Sequence, residues 1–212
     1  MLPRETLRSE SVTTLWQACN ARRQRVRGQD RRGQIPNMTP ITERPTDVAT
    51  QTIPGYWEGD VLKGARNGSA VGTQVERTTR LVLLVHMDST VAASAYRGFT
   101  KELWHVPSPP RKTLTYDRGK EIANHEQSAH RLAIQVFFAD PHGPWQRGIN
   151  KNTSGQPCRQ LPKNTDLSGD TQRQLNAIAH RLNTRPRKCL VFATPLEVHA
   201  QLRSHSTVAV GT

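Results

Sequence analysis

Leu81-Val82-Leu83-Leu84-Val85 is a continuous apolar run of strand length. A run with no polar alternation suits a strand buried on both faces. The flanking residues supply such a setting. Upstream, Tyr56–Leu62 reads as a strand, Gly64–Gly68 as a turn and Ala70–Arg77 as a second strand. Downstream, residues 90–104 read as a helix with Ala92, Ala95, Phe99 and Leu103 on one side, stopped by Pro107, Pro109 and Pro110. Thr113–Tyr116 is a short strand ending at Asp117, residues 124–132 a helix, and Ile134–Phe138 another strand. Residues 171–183 form an amphipathic helix with Leu175, Ile178, Ala179 and Leu182 on one face. Thr194-Pro195-Leu196-Glu197 opens a last helix with a capping box and proline at its first position. Three strands, helix, strand, helix, strand and further helices make an α/β fold, a mixed sheet flanked by helices.

The 212 residues are 34% apolar and only 5% aromatic, with a formal charge of +13. Such a charge points to a polyanionic partner, nucleic acid first, while a merely basic solubility surface is the plainer alternative. Arg22, Arg23, Arg25, Arg27, Arg31 and Arg32 are opposed only by Asp30, and Pro36, Pro40 and Pro45 follow among few apolar residues. Residues 1–52 are therefore expected to be a basic, largely disordered arm, 53–200 the folded core and 201–212 a tail. Cys19, Cys158 and Cys189 form neither a C-x-x-C pair nor an even framework, as expected of a reducing cytoplasm. No apolar run approaches membrane-spanning length, so no membrane partner is expected.

Two aspartates fall where strands end: Asp60 in Trp57-Glu58-Gly59-Asp60, and Asp117 in Thr115-Tyr116-Asp117-Arg118-Gly119. Carboxylates in the middle of a sheet are costly to bury without compensation, and a divalent cation would provide it. Gly59 and Gly119 beside them would leave room for a ligand to approach. A turn-initiating aspartate after each strand is the plainer alternative.

Several segments extend the pattern: Pro54-Gly55-Tyr56-Trp57-Glu58-Gly59-Asp60, Val75-Glu76-Arg77-Thr78-Thr79-Arg80, Leu114-Thr115-Tyr116-Asp117-Arg118-Gly119, Pro144-Trp145-Gln146-Arg147-Gly148 and Leu182-Asn183-Thr184-Arg185-Pro186-Arg187. With these the chain resembles the insertion-sequence-thirty family of bacterial transposases, whose catalytic core is of the retroviral-integrase type. The resemblance implies a ribonuclease-H-like fold and DNA transposition, integration and recombination by two-metal phosphoryl transfer. It also implies two Mg²⁺ (or Mn²⁺) ions and DNA as partner, both element ends and target. Asp60 and Asp117 are implied as the first two members of an acidic triad.

At the third position, where the family carries glutamate, this chain has Lys151, in Gly148-Ile149-Asn150-Lys151. Two unit charges 4 Å apart interact by ~4 kcal/mol at an effective dielectric near 20, and a divalent ion doubles that. An ammonium there would repel the ion that a carboxylate attracts, so metal binding is expected to be weakened. Glu121 and Asp140 are the nearest acids in sequence, and neither holds the register of the missing glutamate. Gly155-Gln156-Pro157 interrupts the helix expected to carry that position. The family's helix-turn-helix region precedes the arm, and residues 1–20 have room for one short helix at most. The chain is thus expected to be an N-terminally truncated, degenerate copy. The competing reading is a non-catalytic DNA-binding remnant or an inhibitor of intact transposase, acting as a homo-oligomer or mixed oligomer. A basic module unrelated to transposition is the third.

DNA contacts are expected from the six arm arginines and from Arg118, Lys120, Arg147 and Lys163 at the rim of the acidic site. Trp145 is read as a core anchor and His142 as a turn residue with a structural bond. His125 and His130 lack metal-ligand spacing. A cytoplasmic protein, nucleoid-associated when bound to DNA, is the expected location.

Overall fold

The structure, a computed structural model, describes residues 35–106, 111–141, 143, 146, 161 and 166–208. Within them five strands form one sheet: β1 (Tyr56–Lys63), β2 (Ala70–Glu76), β3 (Val82–Met87), β4 (Thr113–Tyr116) and β5 (Gln135–Phe138). The strand order is β3-β2-β1-β4-β5. β1, β2 and β3 run antiparallel as a meander, while β4 and β5 are parallel to β1. The helices are α1 (Ala92–Trp104), α2 (His125–Leu132), α3 (Gln172–Asn183) and α4 (Pro195–Val208).

Each face of the sheet carries its own core. On one side α1 and α2 cover Trp57, Val85, Leu114, Tyr116, Val136 and Phe138 with Ala95, Phe99, Leu103 and Leu132. On the other, α3 covers Val71, Val75, Val82 and Leu84 with Leu175, Ile178, Ala179 and Leu182. β2 is buried along its whole length, because both cores close over it. The first side packs through two glycine gaps. A Cβ on Gly59 would lie 2.1 Å from the Tyr116 ring, and one on Gly72 would lie 2.5 Å from Phe99. The two rings meet at 5.4 Å between centroids and lock α1 onto the sheet.

The apolar run reads as a strand, as expected, though it runs from Val82 to Met87, because Arg80 at φ 62 still belongs to the preceding turn. Thr113–Tyr116 is a strand as expected, and Thr194 and Glu197 exchange both bonds of the expected capping box, at 2.8 and 3.2 Å. A second capping box, Thr171 with Gln174, opens α3.

Order begins well before Tyr56. Ile35, Ile41 and Val48 are buried, around a 3₁₀ turn at Ile41–Glu43 and a single helical turn at Asp47–Thr50. The expected arm therefore includes a segment that packs on the core. Its three larger buried side chains, Ile35, Ile41 and Val48, offset the ordering cost. It also covers an edge strand: Phe138 in β5 donates its N–H to the Thr39 carbonyl at 2.9 Å. Residues 1–34 lie outside the described residues.

Candidate active site

β1 and β4 are parallel neighbours paired Tyr56↔Thr113, Trp57↔Leu114 and Glu58↔Thr115. Asp60 lies two residues beyond Glu58 in β1 and Asp117 two beyond Thr115, just past the end of β4, so this register continued would bring the two aspartates alongside on one side of the sheet. Both are partly buried. Asp60 Oδ1 accepts the Val61 N–H at 3.0 Å and Asp117 Oδ1 accepts the Gly119 N–H at 3.3 Å, which orients each carboxylate. The Asp60 carbonyl accepts the Thr73 hydroxyl at 3.3 Å and ties the site to β2.

The two glycines do not leave ligand space. The Tyr116 ring fills the gap at Gly59, and the Glu121 carboxylate lies where a Gly119 Cβ would be, 2.7 Å from it. The Tyr116 ring, packed in the core, requires glycine at position 59, whereas the atoms near Gly119 are the end of the longer Glu121 side chain.

One pleat below the aspartates, on their side of the sheet, lies a charge cluster that reading the sequence missed. Glu58 is completely buried and ion-paired with Arg77, itself buried. Arg44 reaches in from the upstream segment and donates Nη1 to Thr115 Oγ1 at 3.3 Å. Burial lowers the Arg44 pKa, the Arg77 cation lowers it further, and Glu58 opposes both. Glu58 and Thr115 precede Asp60 and Asp117 by two residues each, so the cluster fixes the strand register that brings the acids together. Glu76, also completely buried, accepts N–H groups from Gly55, Thr78 and Thr79 and the Thr79 hydroxyl. Burial raises its pKa and those bonds pull it back. The only signal for these roles was their position inside the matching segments. Their partners lie too far along the chain to be read from spacing.

Neither acid weighed as a replacement is available in the way a third ligand would need. Glu121 forms an ion pair with Lys63 at 3.2 Å. Asp140 binds Arg118 Nη2 at 3.3 Å and Gln146 Nε2 at 2.8 Å. Arg118, expected to contact DNA, spends Nε on the Ala139 carbonyl at 3.1 Å as well. Lys120 is exposed. His125 is a core residue, edge-on to Phe138 at 4.8 Å, and His130 is exposed on α2. Lys151, Arg147, Lys163, His142, Trp145, the Gly155–Pro157 interruption and the arm arginines Arg22, Arg23, Arg25, Arg27, Arg31 and Arg32 lie outside the described residues.

Two carboxylates on adjacent strands are hard oxygen donors, the ligand type that Mg²⁺ and Mn²⁺ prefer. The pair fits such an ion as two of its ligands. Among the described residues no group of three or more His, Cys, Asp or Glu side chains is placed to hold a metal.

The family model for the integrase core domain matches residues 52–144. The transposase for insertion element IS1086 of Cupriavidus metallidurans is 50% identical over 205 residues, 97% of this chain and 60% of its own length. The InsI transposase of element IS30A of Escherichia coli is 40% identical over 77% of this chain and 43% of its own length. The transposase of element IS4351 of Bacteroides fragilis is 35% identical over 84% of this chain and 54% of its own length. The chain thus spans about half of the transposases it matches. Among solved structures, the catalytic core of BIV integrase superposes with a TM-score of 0.56 at 19% identity, covering 74% of this chain and 99% of that one. A subunit of the simian T-cell lymphotropic virus intasome gives 0.54 at 17% identity, covering 69% of this chain and 55% of that one. These likenesses show the ribonuclease-H-like fold. By sequence the chain is similar to insertion-element transposases of the IS30 kind, and by fold it carries an integrase-type core.

Proposed function

We propose that this chain is a DNA strand-cleaving and strand-joining core of metal-dependent phosphoryl transfer, held at low activity by Lys151. The observation that supports the reading is the parallel β1–β4 register, whose last pair, Glu58 with Thr115, lies two residues before Asp60 and Asp117. Asp60 and Asp117 would hold a divalent ion, Mg²⁺ or Mn²⁺. Such an ion, when bound, activates a water or a 3′-hydroxyl and steadies the leaving oxygen. The chain's own part is to orient both carboxylates through their backbone bonds and to hold their strands together. Glu58, Arg77 and Arg44 serve that end from below. The arm arginines, with Lys120, Arg147 and Lys163, would hold the DNA backbone, and Arg118 would support the Asp140 turn beside them. DNA ends and target are the proposed partners, and association with itself or with intact transposase is a proposal of the same standing. Among the described residues no helix is long and apolar enough to cross a membrane. A place in the cytoplasm, on the nucleoid when bound to DNA, is inferred from the DNA-acting family.

The test compares the unaltered chain, Lys151→Glu and Asp60→Ala. Cleavage of a duplex bearing the element's ends is followed in Mg²⁺ and in Mn²⁺, with Mn²⁺ affinity measured by calorimetry. Lys151→Glu is expected to bind Mn²⁺ at least tenfold more tightly than the unaltered chain and to cleave where that chain is weak or silent. Asp60→Ala should do neither. Equal Mn²⁺ affinity in all three would refute Asp60 as a ligand and Lys151 as the brake.

A further inference from the structure

α1 and α2 end beside a cationic cleft at the opposite end of β4 from Asp117. Trp104, the last residue of α1, is 55% exposed there. Two guanidinium groups approach its ring, each 5.6 Å from the centroid. One is Arg111, just before β4, and the other is Arg131, in the last turn of α2. Arg97 and Lys101 precede Trp104 at helical spacing and share its face. Two depressions of about 280 and 600 Å³ adjoin at this point, with Trp104 and Arg131 on the walls of both. Arg97 and Lys101 line the smaller one, and Glu126 is the one acid on either wall.

The arrangement is built for an oxyanion. A guanidinium lying against an indole keeps its in-plane N–H groups free to bind while the ring limits its motion. Arg131, on both walls, and Arg97 and Lys101, on the smaller, are exposed, so their charged ends are open to a phosphate oxygen. Arg97 and Lys101 sit about 6 Å apart along the helix, a row of charge able to follow an extended polyanion. A second copy of this face is the wrong occupant, since it would set four cations against four.

We propose that this cleft binds the phosphodiester backbone of DNA, as a second contact surface separate from the acid pair. Trp104 serves as the platform that aims Arg111 and Arg131. The proposal rests on the DNA-processing function proposed above, and its test needs no catalysis. Binding of a mixed-sequence duplex to the full chain is followed by fluorescence anisotropy in EDTA over a series of KCl concentrations. Each phosphate contact contributes about 0.9 to the slope of log affinity against log salt. Arg97→Ala, Lys101→Ala and Arg131→Ala combined, all exposed positions, should make the slope shallower by about 2.7 without altering the thermal midpoint. Trp104→Ala should make it shallower by about 1 to 2, and Trp104→Phe by less, because phenylalanine keeps a ring under the arginines. An unchanged slope in the triple variant, with the unaltered chain still binding, would overturn the cleft alone. An unchanged slope with a lost dimer in sedimentation would overturn it too, and mark the face as self-association surface. Failure of the unaltered chain to bind duplex would remove both this proposal and the function beneath it.

Discussion

Val191 holds φ 53 at the end of the Lys188–Leu190 turn, with its side chain 90% exposed, and Phe192 follows at φ 62. A β-branched residue in the left-handed region pays a steric penalty that no contact of an exposed side chain repays, about 1–2 kcal/mol. Val191→Gly is therefore expected to stabilise the chain by about 1 kcal/mol, a rise of 2–4 °C in the thermal midpoint by calorimetry. An unchanged or lower midpoint would mean that the turn is held by something other than its own backbone. At this same scale the aspartates were legible, because Trp-Glu-Gly-Asp and Thr-Tyr-Asp-Arg-Gly are compact and local. Glu58 stood in the same words and was not legible as a structural ion. Its meaning depends on Arg77, across the β1–β2 hairpin, and on Arg44, in a segment whose composition is that of a disordered arm.

Both edges of the sheet are closed by elements that are not strands. On the β3 side, α3 does the closing with side-chain amides. Asn183 accepts the Val82 N–H at 2.9 Å and donates to the Val82 carbonyl at 2.8 Å. Gln172 accepts the His86 N–H and donates to the Leu84 carbonyl, both at 2.7 Å. These are the outward groups of alternate residues on an edge strand, which otherwise invite pairing with another chain. Asn183→Ala strands a buried N–H and carbonyl at Val82 and is expected to cost about 3 kcal/mol in urea unfolding, with more aggregation at equal concentration. A cost under 1 kcal/mol would show that water replaces the amide. The helix itself was legible from its apolar stripe, and its existence needed nothing more. The amide contacts were not, because Asn183 and Gln172 are polar positions bordering that stripe and their partners are in β3, on the far side in sequence of the α1, β4, α2 and β5 stretch.

For the whole molecule, the boundary of the folded body is the point where sequence and structure part. Sparse apolar content between 35 and 52 suggested an arm, but Ile35, Ile41 and Val48 are buried and Arg44 enters the charge cluster. Composition measures how many apolar residues a segment has, whereas packing depends on where they land. A chain begun at Gln34 is expected to exceed one begun at Ile53 by roughly 5 kcal/mol or more in unfolding free energy, given about 1.5–3 kcal/mol for each buried apolar side chain. Comparable denaturation midpoints for the two would return the boundary to position 53.

The order of the strands also sets when the acid pair comes into being. β1, β2 and β3 form a meander of local contacts, whereas β4 joins β1 only after the chain has travelled through α1. Local hairpins form early and crossover pairings late. Asp60 is thus in place while Asp117 is still to be delivered, and a chain stalled in synthesis before β4 carries one aspartate of the pair. Unfinished copies of the protein therefore lack the Asp60–Asp117 pair by topology alone.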